Sequence, residues 1–350
     1  MSPPSPAPKP APNRIELVGW SLVVAGLGAA GLGAASTFLV PFVVACFLAL
    51  LIGPAQTWLE QKGLPRPLGV ILGLAAVLCA LGLLGLLFAR AGTSVASESG
   101  AYADRLREGW SELSAFAKDR AGVDLNQMVP DLGGMSGKIL SRASSWLGTL
   151  NTFLGGLVFT LLHLGFLLGN RDRVKAKVER LAVRLAGSEE VAQETLQTLA
   201  SNVRTYLWVK LCISVPTGLA LGSVAWAFGV DFPLTWGILA FAGSFVPSIG
   251  PLVATIPPVV IAFLGLDPLT ALAASLCMAG VLQISASVVE PTVLGDALNL
   301  SFPTIIMSIF VWGMIWRAPG LVLAVPLTAC IVTLLLRSKR FEPLGELLKS

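Results

Sequence analysis

The sequence predicts an all-α, polytopic integral membrane protein of about eight transmembrane segments, two of them runs broken by proline and glycine. Three observations carry that reading. The chain of 350 residues is 55% hydrophobic and only 13% charged, against roughly 25% charged in ordinary soluble domains. Its apolar residues fall into runs long enough to cross a bilayer core, which takes about 20 residues. Its Lys and Arg residues, in slight excess at a net charge of +4, gather beside those runs. There they orient a chain in the bilayer and are not a nucleic-acid signal.

Residues 1–13 are rich in proline and cannot bury a core, so they read as a disordered tail. Residues 14–89 hold three crossings. Lys9 and Arg14 precede a first helix over about 17–33, a turn falls near Ser36-Thr37, and Pro41 opens the second helix. A short polar link with Lys62 and Arg66 leads into a third crossing over 68–89. Residues 90–146 form an extracytoplasmic region. There Leu106, Trp110, Leu113 and Phe116 recur at helical spacing. This amphipathic helix reads as a small cap on the membrane domain, or as a gate or partner-binding element.

Residues 147–169 are the fourth crossing. Region 170–205 opens with the densest basic cluster of the chain, Arg171, Arg173, Lys175, Lys177, Arg180 and Arg184, and such clusters stay cytoplasmic. Ser188-Glu189-Glu190 is a helix start. That helix runs through Leu196, Leu199 and Val203 into the fifth crossing at 206–229. Lys210 lies one turn inside that crossing, where it can snorkel to the interface. Residues 206–336 form the C-terminal core, and 337–350 a tail carrying Arg337, Lys339 and Arg340. The basic residues place both termini in the cytoplasm.

The core holds two runs that are too long for one straight crossing. As an unbroken helix, 234–266 would extend about 50 Å, against a bilayer core of ~30 Å. It is interrupted by Pro247-Ser248-Ile249-Gly250-Pro251 and again by Pro257-Pro258. The run 302–336 is interrupted by Arg317-Ala318-Pro319-Gly320. Each is either one kinked crossing or a hairpin that turns back within the membrane. Orientation does not separate the two, because changing both runs together leaves the parity of crossings unchanged; length favours hairpins. Prolines without N–H groups leave carbonyls unpaired, and lipid cannot satisfy them, so such breaks persist only inside protein or against a wet cavity. Secondary transporters place substrate and ion sites at breaks of this kind.

Candidate site residues follow from that argument. The backbone at Ser248, Ile249 and Gly250, between Pro247 and Pro251, offers free carbonyls for a cation and a helix start for an anion. Gln283, Ser287 and Glu290 on the run 269–289 and just beyond are spaced to share one helical face. Glu290 is an ionisable group in or near the membrane, a functional candidate by default, with a solvated helix end as the alternative. Asp296 reads as a loop turn residue or a second acidic group. Arg317 reads as an anion contact or a snorkelling interfacial cation. Asp231 and Asp267 read as interfacial helix ends, and His163, the single histidine, as a hydrogen-bonded packing residue. The five cysteines are widely spaced within apolar runs, which argues against disulfides or a metal site and for core packing. No nucleophile–base pattern, metal cluster or phosphate loop is present. The sequence therefore calls for no cofactor and shows no enzyme.

Several motifs resemble one family. Pro41-Phe42, Ala45, Ala49 and Pro54 are similar to its second helix, and Gly63-Leu64-Pro65-Arg66 to the link that follows. Val246-Pro247-Ser248-Ile249-Gly250-Pro251, with Ala254 and Pro257, resembles its most distinctive motif. Glu290-Pro291, Leu294-Gly295, Pro303, Trp312-Gly313, Gly320 and Ala324-Val325-Pro326 follow in order. Over residues 15–340 the chain resembles the autoinducer-2 exporter family of permease-like bacterial membrane transporters. The resemblance implies a homo-oligomeric transporter of the bacterial inner membrane with about eight segments. Some members of that family export autoinducer-2, and others are linked to monovalent cation/proton exchange. Arg317 stands where the family usually has glycine.

The function expected is secondary transport of a small polar solute across the lipid bilayer, at a site between the 247–251 break, the 269–290 helix and the 317–320 break. Na+ or H+ is the candidate coupling ion. Two alternatives accompany it: a monovalent cation/proton antiporter using Glu290 and Asp296, and a membrane scaffold that binds partners through 90–145 or 171–184.

Overall fold

The computed structural model describes residues 26–121, 153–247, 249–294, 300–337 and 342–349. Among these the protein is built of helices without a strand. We label them α1 (residues 26–34), α2 (Ser36–Gln61), α3 (Arg66–Ala121), α4 (Phe153–Gly169), α5 (Arg171–Ala186), α6 (Glu189–Ala227), α7 (Pro233–Gly243), α8 (Ile249–Gly265), α9 (Pro268–Ile284), α10 (Glu290–Leu294), α11 (Phe302–Leu336) and α12 (Glu342–Leu348). A π-helical turn, Ser285–Val289, joins α9 to α10. Five helices are long and apolar enough to cross a membrane, or six if the bent pair α4–α5 counts as one span. This fits an all-α polytopic membrane protein, but the expected count of about eight is not reproduced among the described residues.

The expected turn at Ser36-Thr37 is not where the helix breaks. Ala35 N–H donates to Gly31 O and Leu39 N–H to Ala35 O, so helical bonding runs from α1 into α2. Residues 17–25 of the expected first helix lie outside the described residues. The helix of the third crossing continues well past residue 89. α3 spans 56 residues, about 84 Å at ~1.5 Å per residue. Its distal half therefore projects beyond any bilayer core as a direct extension of the crossing.

One end of the bundle is ionic. Arg66 pairs with Asp172 at 2.6 Å, Arg171 with Glu60 at 3.2 Å, and Arg337 with Glu194 at 2.6 Å. The Arg66 guanidinium beside Asp172 holds its carboxyl below the usual carboxylate range. At this end α5 leaves α4 at 82°. Gly187, in the left-handed region at φ 75, ends α5. Ser188 then caps α6, accepting from Val191 N–H at 3.2 Å, as its sequence predicts. α6 climbs to the opposite end, where Gly229 closes it and Val230 N–H returns to Ala225 O.

Both long broken runs are hairpins. Asp231 precedes α7, yet its carboxylate lies beside Gly265, the last residue of α8. Both ends of the α7–α8 pair are therefore at the far end of the bundle, with the turn at residues 244–247 inside it. In α11 the backbone leaves helical geometry at Arg317. Trp312 Nε1 donates to Thr328 Oγ1 at 3.1 Å, where a straight helix would hold those residues ~24 Å apart. Leu300, before the first arm, packs with Val332 in the second. This hairpin opens at the ionic end, so the two hairpins enter from opposite ends, an arrangement in keeping with transporter folds of broken helices.

Small residues let these elements approach. Gly218 and Gly237 meet backbone to backbone between α6 and α7, the close packing that apolar membrane interfaces favour. His163 donates from Nδ1 to Phe159 O, 2.6 Å away, and stacks edge-on against Phe42, which bears out the packing reading. The cysteines are unpaired, but Cys79, Cys212 and Cys277 are exposed on the helix surfaces, so core packing holds only for the others.

Candidate functional site

The turn between α7 and α8 is tight. Phe245 N–H bonds to Ala242 O, Val246 N–H to Gly243 O, and Gly250 N–H to Val246 O. Gly250 and Gly243 face each other so closely that a Cβ on Gly250 would overlap the Gly243 carbonyl. Only glycine permits that approach. Lys210 of α6 reaches the Ser244 carbonyl in this turn. Its Nζ donates to Ser244 O at 2.8 Å.

The same ammonium meets Glu290 Oε1 at 2.5 Å. Lys210 is fully buried, while the Glu290 side chain is 20% exposed. Lys210 stands ~24 Å along α6 from Glu194, at the ionic end, and ~25 Å short of Ala227 at the other. It is therefore at mid-depth, which corrects the expectation that it snorkels from the interface. α6 carries a buried polar stripe around it: Tyr206, Lys210, Ser214 and Thr217 follow helical spacing. Thr217 Oγ1 and Ser285 Oγ bond across to the π turn at 2.6 Å. Tyr206 Oη and Ser214 Oγ are buried without a hydrogen-bond partner among the described residues. Such groups are rare, and each calls for an explanation such as water or a ligand.

The π turn decides which face Glu290 joins. The Glu290 backbone N–H bonds to Ser285 O, five residues back, so the helix carries one extra residue there. Glu290 consequently sits with Leu282 and Ser285, which are buried, and not with Gln283 and Ser287. The expected shared face of Gln283, Ser287 and Glu290 is thus overturned. Gln283 Nε2 donates to Ser287 Oγ at 2.7 Å, and the two are exposed together.

Other expectations separate as follows. Pro247, Ile249, Gly250 and Pro251 lie at the hairpin tip, with Gly250 buried and Pro247 and Pro251 half-buried. Ser248 and Asp296 lie outside the described residues. Arg317 is exposed at the tip of the other hairpin and has no hydrogen bond or ion pair among the described residues. That tip does not join the first: its neighbour Trp316 donates from Nε1 to Leu32 O at 3.1 Å. The site therefore unites the first hairpin, α6 and the Glu290 turn, without the 317–320 break. Asp231 and Asp267 are helix-end residues, as expected. Asp267 caps α9 through Thr270 N–H; the Thr270 side chain first, and then that N–H, hold its carboxyl below the ordinary value, and Asp231 accepts from Tyr102 Oη.

Lys210 is the residue that sequence reasoning missed. A signal was present: Tyr206, Lys210, Ser214 and Thr217 form a polar stripe along an otherwise apolar helix, and a polar stripe within the membrane faces protein.

Comparison with known proteins adds to this geometry. A family model described as AI-2E family transporter matches residues 20–340. The chain is 27% identical to the AI-2 transport protein TqsA of Escherichia coli (strain K12), over 86% of each chain. It is 25% identical to a protein of the same organism named "Putative transport protein YhhT", over 86% of this chain and 84% of that one. A Bacillus subtilis (strain 168) protein named "Putative transport protein YueF" is 23% identical over 89% of this chain and 87% of its own.

Proposed function

Since this chain belongs to the AI-2E family of transporters, and is thus a multi-pass transporter of the bacterial inner membrane, we propose that it carries a small polar solute through the layer where Lys210, Glu290 and the α7–α8 tip meet. One observation supports this most: a hairpin turned back at mid-depth, the Ser244 carbonyl of its turn held by a buried ammonium that also pairs with a carboxylate. A folded-back helix with an ion pair at its tip costs stability that a purely structural bundle would avoid. The pair is neutral overall. It offers both donor and acceptor groups to an uncharged polar molecule, and the unpartnered Tyr206 and Ser214 hydroxyls add two more.

The name of the TqsA relative makes AI-2 the first solute to try. The sequence holds no phosphate loop, so the solute's own gradient or an ion gradient drives the movement. The apolar faces of the helices contact lipid, and part of them serves as a contact between copies in a homo-oligomer. Both termini are cytoplasmic in this reading. Cation/proton exchange is not carried forward. The matching family is described as AI-2E transporters and the TqsA relative as an AI-2 transport protein, and Glu290, on which exchange depended, is already engaged by Lys210.

Purified protein in sealed vesicles should move AI-2 or another small polar solute, and the Glu290→Gln variant should not. Absence of flux across a broad panel by assembled protein, together with a stably co-purifying partner, would favour the scaffold reading instead.

A further inference from the structure

We propose that α5 is a membrane-surface helix that docks on the anionic phospholipid headgroups of the leaflet at the ionic end of the bundle. Its sequence is built for such a surface. Val174, Val178, Leu181 and Leu185 recur at i, i+4, i+7 and i+11, so they line one narrow stripe. Helical geometry puts Arg171 and Lys175 along one border of that stripe and Arg173, Lys177, Arg180 and Arg184 along the other. Asp172 and Glu179 fall on the opposite face.

The fold half-buries Val174 and leaves the rest of the stripe uncovered. Val178, Leu181 and Leu185 are 43%, 58% and 81% exposed. Ala176, Glu179 and Val183, from the opposite face, are half-buried, and α5 packs along α6. An 82° bend separates α5 from the crossing helix α4, which lays α5 close to the plane of the bilayer. The level is right as well. Arg171, at the start of α5, pairs with Glu60, and two residues from Glu60 stands Trp58, 53% exposed with Lys62 Nζ 4.0 Å over its ring. Exposed tryptophan beside lysine marks the headgroup zone. An apolar stripe bordered by cations, at that level, matches a leaflet of negative surface charge.

Hydrogen exchange of the full chain in nanodiscs tests this. Amides of 171–186 should exchange at least about tenfold more slowly in discs containing phosphatidylglycerol than in discs of phosphatidylcholine alone. High salt should reduce the difference. The variant Arg173→Gln/Lys177→Gln/Arg180→Gln/Arg184→Gln spares the Arg171–Glu60 pair and should lose the difference while keeping the exchange pattern of α6. A second variant, Leu181→Gln/Leu185→Gln, should weaken protection in both lipids. Equal protection in the two lipids would overturn the proposal. So would protection that disappears when discs hold a single copy, which would give the stripe to a second copy of this chain.

Discussion

Lys210 Nζ and Glu290 Oε1 lie 2.5 Å apart, although 80 residues separate them in the sequence. The ammonium has no other escape, because the residue is fully buried. Removing the carboxylate leaves a charge inside the bundle, which costs about 3–5 kcal/mol. Glu290→Gln should therefore lower the thermal unfolding temperature markedly. Replacing both residues, as Lys210→Met/Glu290→Leu, should restore most of that stability, since an apolar pair is often no worse than a buried ionic one. Flux should stay absent in the double variant. A double variant as unstable as the single, or one that transports normally, would separate this pair from the role given to it.

The hairpin tip rests on Gly250 meeting Gly243. Gly250→Ala puts a methyl where the Gly243 carbonyl stands, so the arms must part. The expected cost is about 3 kcal/mol, with Lys210 losing its Ser244 partner as the turn shifts. Gly82→Ala, well inside α3, is the matched control. Nothing lies within 4 Å of a Cβ there, and alanine in a helix interior should add about 0.5–1 kcal/mol. Thermal unfolding of the two variants side by side reads the difference. Equal stability would mean that the tip tolerates a wider approach than the one described.

The broken runs, the Ser188 helix start and Glu290 were legible because each rests on local chemistry: absent N–H groups, a capping hydroxyl, a charge beside an apolar helix. Length alone favoured hairpins, since 33 or more apolar residues exceed what a bilayer needs. Two features were not legible. The π turn at Ser285–Val289 adds one residue to the helical count, so a period of 3.6 put Glu290 on the wrong face, beside Gln283 and Ser287. The depth of Lys210 depends on where α6 begins and ends, and counting from the apolar edge at 206 ignored the polar turns of the same helix that precede it. Arg317 and Gly250 both mark hairpin tips in sequence, but nothing local tells that their tips lie against different helices.

Tyr102 of α3 ties the projecting helix to the base of the first hairpin. Its hydroxyl donates to Asp231, and its ring meets Phe232 edge-on. Burial first, and then the neighbouring Asp231 carboxylate, push the phenol well above the ordinary tyrosine value. The sign follows: the folded protein holds the phenol proton more tightly than the unfolded chain does. This contribution is full below about pH 10, the ordinary value, and is lost as pH rises beyond it. Tyr102→Phe should cost about 1 kcal/mol near neutrality. The gap between wild type and variant should shrink as unfolding is measured at rising alkaline pH. A gap that is constant with pH would mean that the hydroxyl contributes nothing through its proton.

Arg317 holds the second hairpin's turn at φ 55, ψ −135, a region open to glycine and costly for a residue with a Cβ, by about 1–3 kcal/mol. The side chain is exposed and has no partner among the described residues to offset that cost. Arg317→Gly should raise stability by about 1 kcal/mol or more. Arg317→Ala keeps the Cβ, so it should not. Both remove the charge, which makes the pair of variants a test of the anion-contact reading too. If the guanidinium meets a solute, flux falls in both while stability rises only in the glycine variant. If flux is unchanged in both, the arginine is an interfacial cation, and the strain at the turn is a cost of this sequence alone. A glycine variant no more stable than the alanine one would mean that the turn relaxes away from the described geometry.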